Sequence, residues 1–347
     1  MPRNTSVTIG NTLVSPGQRV NVNLPVGDLY TATSLSMPMQ VICGRSAGPT
    51  LFISAAIHGD ELNGVEIIRR LLKRKIMRSI RGTLLAVPIV NVHGFLNQSR
   101  YLPDRRDLNR SFPGSARGSI AARLANTFLK EIVAKADYGI DLHTGAINRS
   151  NLPQIRANLD DEKTLELANS FAVPVIVNAN IRDGSLRSCA AEWGIPILIY
   201  EAGEALRFDE ISIRAGLRGI LNTMRTIGML PNSSGRSRSI TPMIAQSTSW
   251  VRSPVSGIVS DKVRLGSAVS KGQCLATIGD PLGNHSEGAT SPFDGIVIGM
   301  SNLPLTHEGD ALFHIAAFRS TSQAVELVDV FEAAHNPDPQ GTVTNDN

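Results

Sequence analysis

Over roughly its first two thirds, the chain alternates unbroken apolar runs with segments whose apolar positions recur every three or four residues. Thr50 to Ile57 and Gly82 to Ile89 are apolar on both faces, the pattern of interior strands. Between them, Leu62 to Arg78 carries a helical stripe. The same reading predicts a helix from Ser119, a plausible N-cap, to Ala136, and a third strand from Tyr138 to Leu142. A helix near 160–170, a strand at 174–178, a helix near 186–193, a strand Ile195–Tyr200 and a helix Leu206–Met229 follow. Strands alternating with helices define an α/β class: a mixed, largely parallel sheet flanked by helices. An N-terminal β segment over 1–45, with Arg19–Leu24 alternating, completes a domain of residues 1–235.

The pattern then changes. Pro231 to Ser249 is rich in Ser and Pro, which places a linker at 236–247. Beyond it, short strands and Gly turns repeat. Ser253-Pro254-Val255-Ser256-Gly257-Ile258-Val259 matches Ser291-Pro292-Phe293-Asp294-Gly295-Ile296-Val297, and Gly272–Ile278 matches Gly309–Ile315. Such short units pack together, which predicts one all-β module over 248–318. It resembles the barrel-sandwich fold of biotinyl and lipoyl domains. Residues 272–291 hold no lysine, so a swinging-arm role is not expected. After Phe318 the chain turns polar, giving a C-terminal extension at 319–347 whose end, from Asn336, is expected to be disordered.

Composition narrows the function classes. Hydrophobic content of 42%, charged content of 18% and a net charge of +4 describe an ordinary globular protein. Aromatic residues make up 5%, too few for a nucleic-acid platform. Cys43, Cys189 and Cys274 are scattered, without a CxxC, so neither a disulfide framework nor a thiolate metal site is indicated. Free thiols fit a reducing cytoplasm. The start of the chain lacks a signal-peptide core, and no run of about 18 apolar residues suggests a membrane span.

Chemistry concentrates where strands end. His58-Gly59-Asp60-Glu61 sits at a strand-to-helix turn, where both His58 and Glu61 can face one cation. Asp141-Leu142-His143 brings a third donor to another strand end, and ligands bind beyond the carboxyl ends of such sheets. His58, Glu61 and His143 therefore form a candidate His2Glu zinc site with a fourth position for water. The irregular stretch from Asn91 to Gly118 is long enough to be functional. It places Arg100, Arg105, Arg106 and Arg110 within eleven residues. Asn109 and Arg110 suit a substrate carboxylate, and Asp107 can accept the remaining ring N–H of a metal-binding histidine. Hydrolysis by a metal-activated water needs a carboxylate to take up a proton and hand it to the leaving amine; Glu201 fits, with Glu204 its competitor. His93 is left unassigned, and His285, His307 and His314 are read as structural. No GxSxG elbow or Cys beside a base supports a Ser or Cys nucleophile.

The set His58-Gly59-Asp60-Glu61-Leu62-Asn63-Gly64, Arg100-Tyr101, Asp107-Leu108-Asn109-Arg110, Asp141-Leu142-His143 and Glu201-Ala202-Gly203 resembles the succinylglutamate desuccinylase/aspartoacylase family of the zinc carboxypeptidase superfamily. The resemblance covers residues 48 to 318. It implies one zinc ion on His58, Glu61 and His143, Glu201 as general base, Asn109 and Arg110 on the carboxylate, and Arg100 polarising the scissile carbonyl, with Arg105 and Arg106 as the alternatives for that place. Aspartoacylases also use a tyrosine from the C-terminal domain. Here the tyrosines are Tyr30, Tyr101, Tyr138 and Tyr200, which implies another acyl group or amino acid. The expectation is a zinc-dependent deacylase cleaving a non-peptide amide of a small carboxylate-bearing substrate. Self-association is left open. The first rival is a metallocarboxypeptidase acting on a peptide or polyamino-acid tail, the second a non-catalytic binding protein.

Overall fold

The computed structural model describes residues 2–179, 182–232 and 240–336. The hairpin of β1 (Val7–Ile9) and β2 (Thr12–Val14) precedes two long antiparallel strands, β3 (Arg19–Asp28) and β4 (Ser34–Cys43). Then come β5 (Thr50–Ala55), α1 (Asn63–Lys73), β6 (Thr83–Val87), the short α2 (Val92–Leu96), α3 (Ile120–Glu131) and β7 (Tyr138–Gly145). β8 (Arg149–Ala157), α4 (Glu162–Phe171), β9 (Val175–Asn178), α5 (Leu186–Glu192), β10 (Ile197–Glu204) and α6 (Glu210–Thr226) complete the α/β part. β6, β5, β7 and β10 run parallel in that order, and β8 lies antiparallel beside β10.

Helices cover both faces of this sheet. On β5, Leu51, Ile53 and Ala55 join the core under α1, α4 and α6, while Phe52 joins the opposite core under α3. That alternation follows from the two-residue repeat of a strand. The expected α/β architecture is therefore present, with differences at the edges. The helix expected to run to Arg78 ends at Lys73, because Arg74 is extended, and a 3-10 turn follows at Lys75–Ser79. Ser119 does cap α3, accepting the Ala122 N–H at 3.3 Å. The stretch between β7 and α4, which the apolar pattern left empty, is β8.

The chain after Ile240 forms β11 (Met243–Ala245), β12 (Ser247–Arg252), β13 (Gly257–Ser260), β14 (Ala268–Val269), β15 (Cys274–Gly279), β16 (Ser286–Thr290), β17 (Gly295–Ser301), β18 (Leu305–Thr306), β19 (Ala311–Ala317) and α7 (Thr321–His335). β13, β15, β16 and β18 make one sheet, and β12, β19, β17 and β14 face it across a shared core. The sequence repeat has a structural counterpart: Ser253 and Ser291 are both buried, and each hydroxyl donates at 2.7 Å to the carbonyl two residues on. This second sheet does not stop at the module. β17 pairs with β8, so one hydrogen-bonded sheet runs from β3 through the α/β strands to β12.

At the ends of the module one expectation is corrected and another gains detail. Part of the linker is strand β11, paired with β9. The polar extension after Phe318 begins as helix α7, whose Ala324, Val328, Phe331 and His335 are buried at helical spacing. The expected disordered end from 337 onward lies outside the described residues.

Gly64 lets α1 approach the strands that carry the candidate ligands. A Cβ there would lie 2.7 Å from the Cβ atoms of both Ala55 and Leu142. Gly64→Ala should therefore lose about 1–3 kcal/mol in urea unfolding, outweighing the roughly 1 kcal/mol that alanine gains in a helix. A variant as stable as the parent would contradict this packing.

Candidate active site

His58 and Glu61 lie in the turn between β5 and α1, and His143 lies within β7, the parallel neighbour of β5. All three side chains are almost fully buried, and their ligand atoms fall within 4.8 Å of one another. Glu61 sits between the rings: Oε1 is 2.7 Å from His58 Nδ1, and Oε2 is 2.8 Å from His143 Nδ1. Each ring's other nitrogen also meets a carboxylate. His58 Nε2 is 3.2 Å from Asp107 Oδ1, and His143 Nε2 is 2.6 Å from Asp141 Oδ2. Asp141 further accepts the Ser54 hydroxyl at 2.8 Å.

Burial works against charge at these rings, but Glu61 with Asp107, and Asp141 with Glu61, raise both imidazoles above their ordinary range. At Glu61 burial favours the neutral acid; His58 and His143 override it and hold the carboxylate well below its usual range. Each imidazole thus has a carboxylate at both nitrogens, so both Nδ1 atoms call for positive charge between them and Glu61. One divalent cation in place of two Nδ1 protons meets that demand. Asp107 and Asp141 would then keep the Nε2 protons, which fixes the tautomers needed for Nδ1 ligation. The donor set fits a zinc-type ion.

Asp107 accepts the Asn109 backbone N–H at 2.8 Å and caps a single 3-10 turn, Leu108–Arg110. Arg100 bridges two of the carboxylates: Nη1 is 3.3 Å from Glu61 Oε1, and Nη2 is 3.1 Å from Asp107 Oδ2. Of the three arginines considered for this place, Arg100 reaches the cluster. Arg106 pairs with Asp104 at 3.7 Å, and Arg105 is exposed in a left-handed turn with φ 62°. The buried Asn91 fixes the entry to this loop, accepting the Gly94 N–H at 2.8 Å. Asn109 Oδ1 accepts the Leu186 N–H at 3.0 Å, which docks the start of α5, while Arg110 is exposed beside it. His93 sits on α2, where Asp104 is its charged neighbour, and it is not one of the three clustered donors.

Glu201 lies inside β10, not after its end, because the strand continues to Glu204 through a register shift. It stands in register with His143 of β7. Glu201 Oε2 accepts from Asn151 Nδ2 at 3.0 Å and lies 3.3 Å from Arg156 Nε. Glu204 is occupied elsewhere, accepting from the Asn148 N–H at 2.9 Å and from Asn302 Nδ2 at 2.7 Å. Asn151 and Arg156 escaped the sequence reading, and Asp141, quoted there as part of the His143 motif, was given no role of its own. His314, expected to be structural, reaches this region: its Nδ1 lies 3.5 Å from Arg156 Nη2.

Helices on both faces of a mixed sheet with parallel central strands, and two histidines and a glutamate at the carboxyl edge of those strands, define the class. The catalytic-domain profile of succinylglutamate desuccinylase/aspartoacylase matches residues 47–227, more than half of the chain. The chain belongs to that family. It is similar to an N-alpha-acetyl-L-2,4-diaminobutyric acid deacetylase of Halomonas elongata, 26% identical over 269 residues, covering 75% of this chain and 79% of the relative. Among solved structures, a succinylglutamate desuccinylase/aspartoacylase from Rhodobacter sphaeroides superposes with a TM-score of 0.76 at 25% identity, covering 87% of this chain and 95% of its own. The product-bound ectoine utilization protein EutE (DoeB) from Ruegeria pomeroyi shares the fold, with a TM-score of 0.77 at 24% identity, covering 86% and 95%. Among the described residues no helix is long and apolar enough to cross a membrane.

If Asp141 orients His143, Asp141→Asn should weaken divalent-metal binding about 10- to 100-fold in a chelator competition. Unchanged affinity would show that this contact does not tune the ligand.

Proposed function

We propose that this protein is a zinc-dependent deacylase that hydrolyses the amide of a small N-acyl amino acid or a related carboxylate-bearing compound. One observation carries the reading: His58 and His143 turn the same ring nitrogen, Nδ1, toward Glu61, each with a carboxylate behind it. Zinc held by His58, Glu61 and His143 supplies Lewis acidity for activating water and polarising the amide carbonyl.

The protein's own residues do the rest. Glu201 takes a proton from the attacking water and delivers it to the amide nitrogen, so the C–N bond breaks with a neutral amine leaving. Arg100 donates N–H to the carbonyl oxygen as negative charge gathers there. Asn109 spends its carbonyl on Leu186, which leaves its NH2 to donate to the substrate carboxylate. The exposed Arg110 adds a planar fork to the same carboxylate. The name of the Halomonas relative puts acetylated amino acids first among candidates. The free cysteines suit a reducing compartment, and we place the enzyme in the cytoplasm.

A hydrolysis screen of acetylated and succinylated amino acids, beside short peptides with free C-termini, tests this reading. The zinc-loaded enzyme should release amine from the acylated amino acids and leave the peptides intact. Glu201→Gln should lower kcat about 100- to 10,000-fold while retaining one zinc ion per chain. Preferential peptide trimming, or full turnover by that variant, would contradict it.

A further inference from the structure

The C-terminal module does more than lie beside the α/β sheet. Because β17 pairs with β8, one row of residues crosses from the module to the strand that bears Glu201. Trp250 pairs with His314, His314 with Gly299, Gly299 with Asn151, and Asn151 with Gly203. Gly299 keeps this row close. A Cβ there would come within 2.8 Å of Asn151 Oδ1 and 3.3 Å of the His314 Cβ. Its absence leaves room for Asn151 to reach Glu201.

His314 itself is 4% exposed. One face stacks on Trp250, with centroids 4.6 Å apart and planes within 6°, and Arg149 covers Trp250 with its guanidinium carbon 4.5 Å from the ring centroid. The edge of the ring meets Arg156, whose Nη2 lies 3.5 Å from Nδ1, while Arg156 Nε lies 3.3 Å from the Glu201 carboxylate. Burial, together with Arg156 and Arg149, lowers His314 to about 3, so at neutral pH its ring is uncharged. A neutral imidazole facing a guanidinium presents its lone pair at Nδ1 and keeps its proton at Nε2. Arg156 therefore lies between two partners, an acceptor of the module at 3.5 Å and the carboxylate of the active site, which it meets as an ion pair without a hydrogen bond from Nε.

Resting on the deacylase reading of Glu201, we propose that His314 is a positioning residue, through which the C-terminal module sets the Arg156 guanidinium that orients the Glu201 carboxylate. A purely structural His314 would act through its stack on Trp250 alone. The two roles separate by substitution. His314→Phe keeps a flat ring against Trp250 and removes the acceptor; His314→Gln loses the ring and restores an acceptor. Trp250→Phe trims the stack and leaves the acceptor in place.

The test uses the full-length, zinc-loaded protein, with kinetics on the best substrate of the acyl amino acid screen and a crystal structure of each variant. His314→Phe should lower kcat about tenfold, the loss of one hydrogen bond to a charged group, with KM within about twofold of the parent. In its crystal structure the Arg156–Glu201 contact should open. His314→Gln should recover most of kcat and keep the contact, and Trp250→Phe should match the parent. The proposal is overturned if His314→Phe keeps the contact or the parent kcat, or if Trp250→Phe is impaired as much as His314→Phe. A parent enzyme without turnover would instead refute the deacylase reading, and the crystallographic arm would still decide the position of Arg156.

Discussion

Everything at the carboxyl edge of this sheet answers to one electrostatic constraint: three carboxylates surround two buried imidazoles. Glu61, Asp107 and Asp141 occupy all four ring nitrogens of His58 and His143 between them, and the Arg100 guanidinium bridges two of the acids. Burying carboxylates is costly unless cations face them. A divalent ion at the two Nδ1 atoms and Glu61 would satisfy the cluster, and the surrounding contacts hold its three donors together. Gly64 draws α1 against β5 and β7, Asp107 caps the turn before Asn109 and Arg110, and Ser54 steadies Asp141.

The second organising feature is the unbroken sheet. The module is hydrogen-bonded through β17 to β8, and β8 supplies Asn151 and Arg156 to the carboxylate beside His143. Asn302, in the loop after β17, adds a bond to Glu204 on the same strand. The C-terminal part thus shares one hydrogen-bonded sheet with the catalytic part.

The legible parts of this protein were those where local pattern and fold agree. β5, β6 and β7 are interior strands with apolar residues on both faces, so they stand out as runs, and their ends point to His58 and His143. β8 was illegible for a physical reason. Arg149, Asn151, Gln154 and Arg156 interrupt its apolar positions because the strand holds a polar network beside Glu201. Local rules fail most often where function sets the residues. α7 was missed because its buried stripe of Ala324, Val328 and Phe331 is thin and lies among exposed acids. Asn151 and Arg156 needed the sheet register before their partner Glu201 could be seen.

Zinc ligation by His58, Glu61 and His143 is tested by anomalous diffraction at the zinc edge on crystals of the full-length protein grown with zinc. Ligation through both Nδ1 atoms predicts one strong peak per chain, about 2.0–2.2 Å from His58 Nδ1, His143 Nδ1 and a Glu61 oxygen. A peak bound through either Nε2, or well-ordered crystals grown in excess zinc with no peak at the three residues, would contradict it.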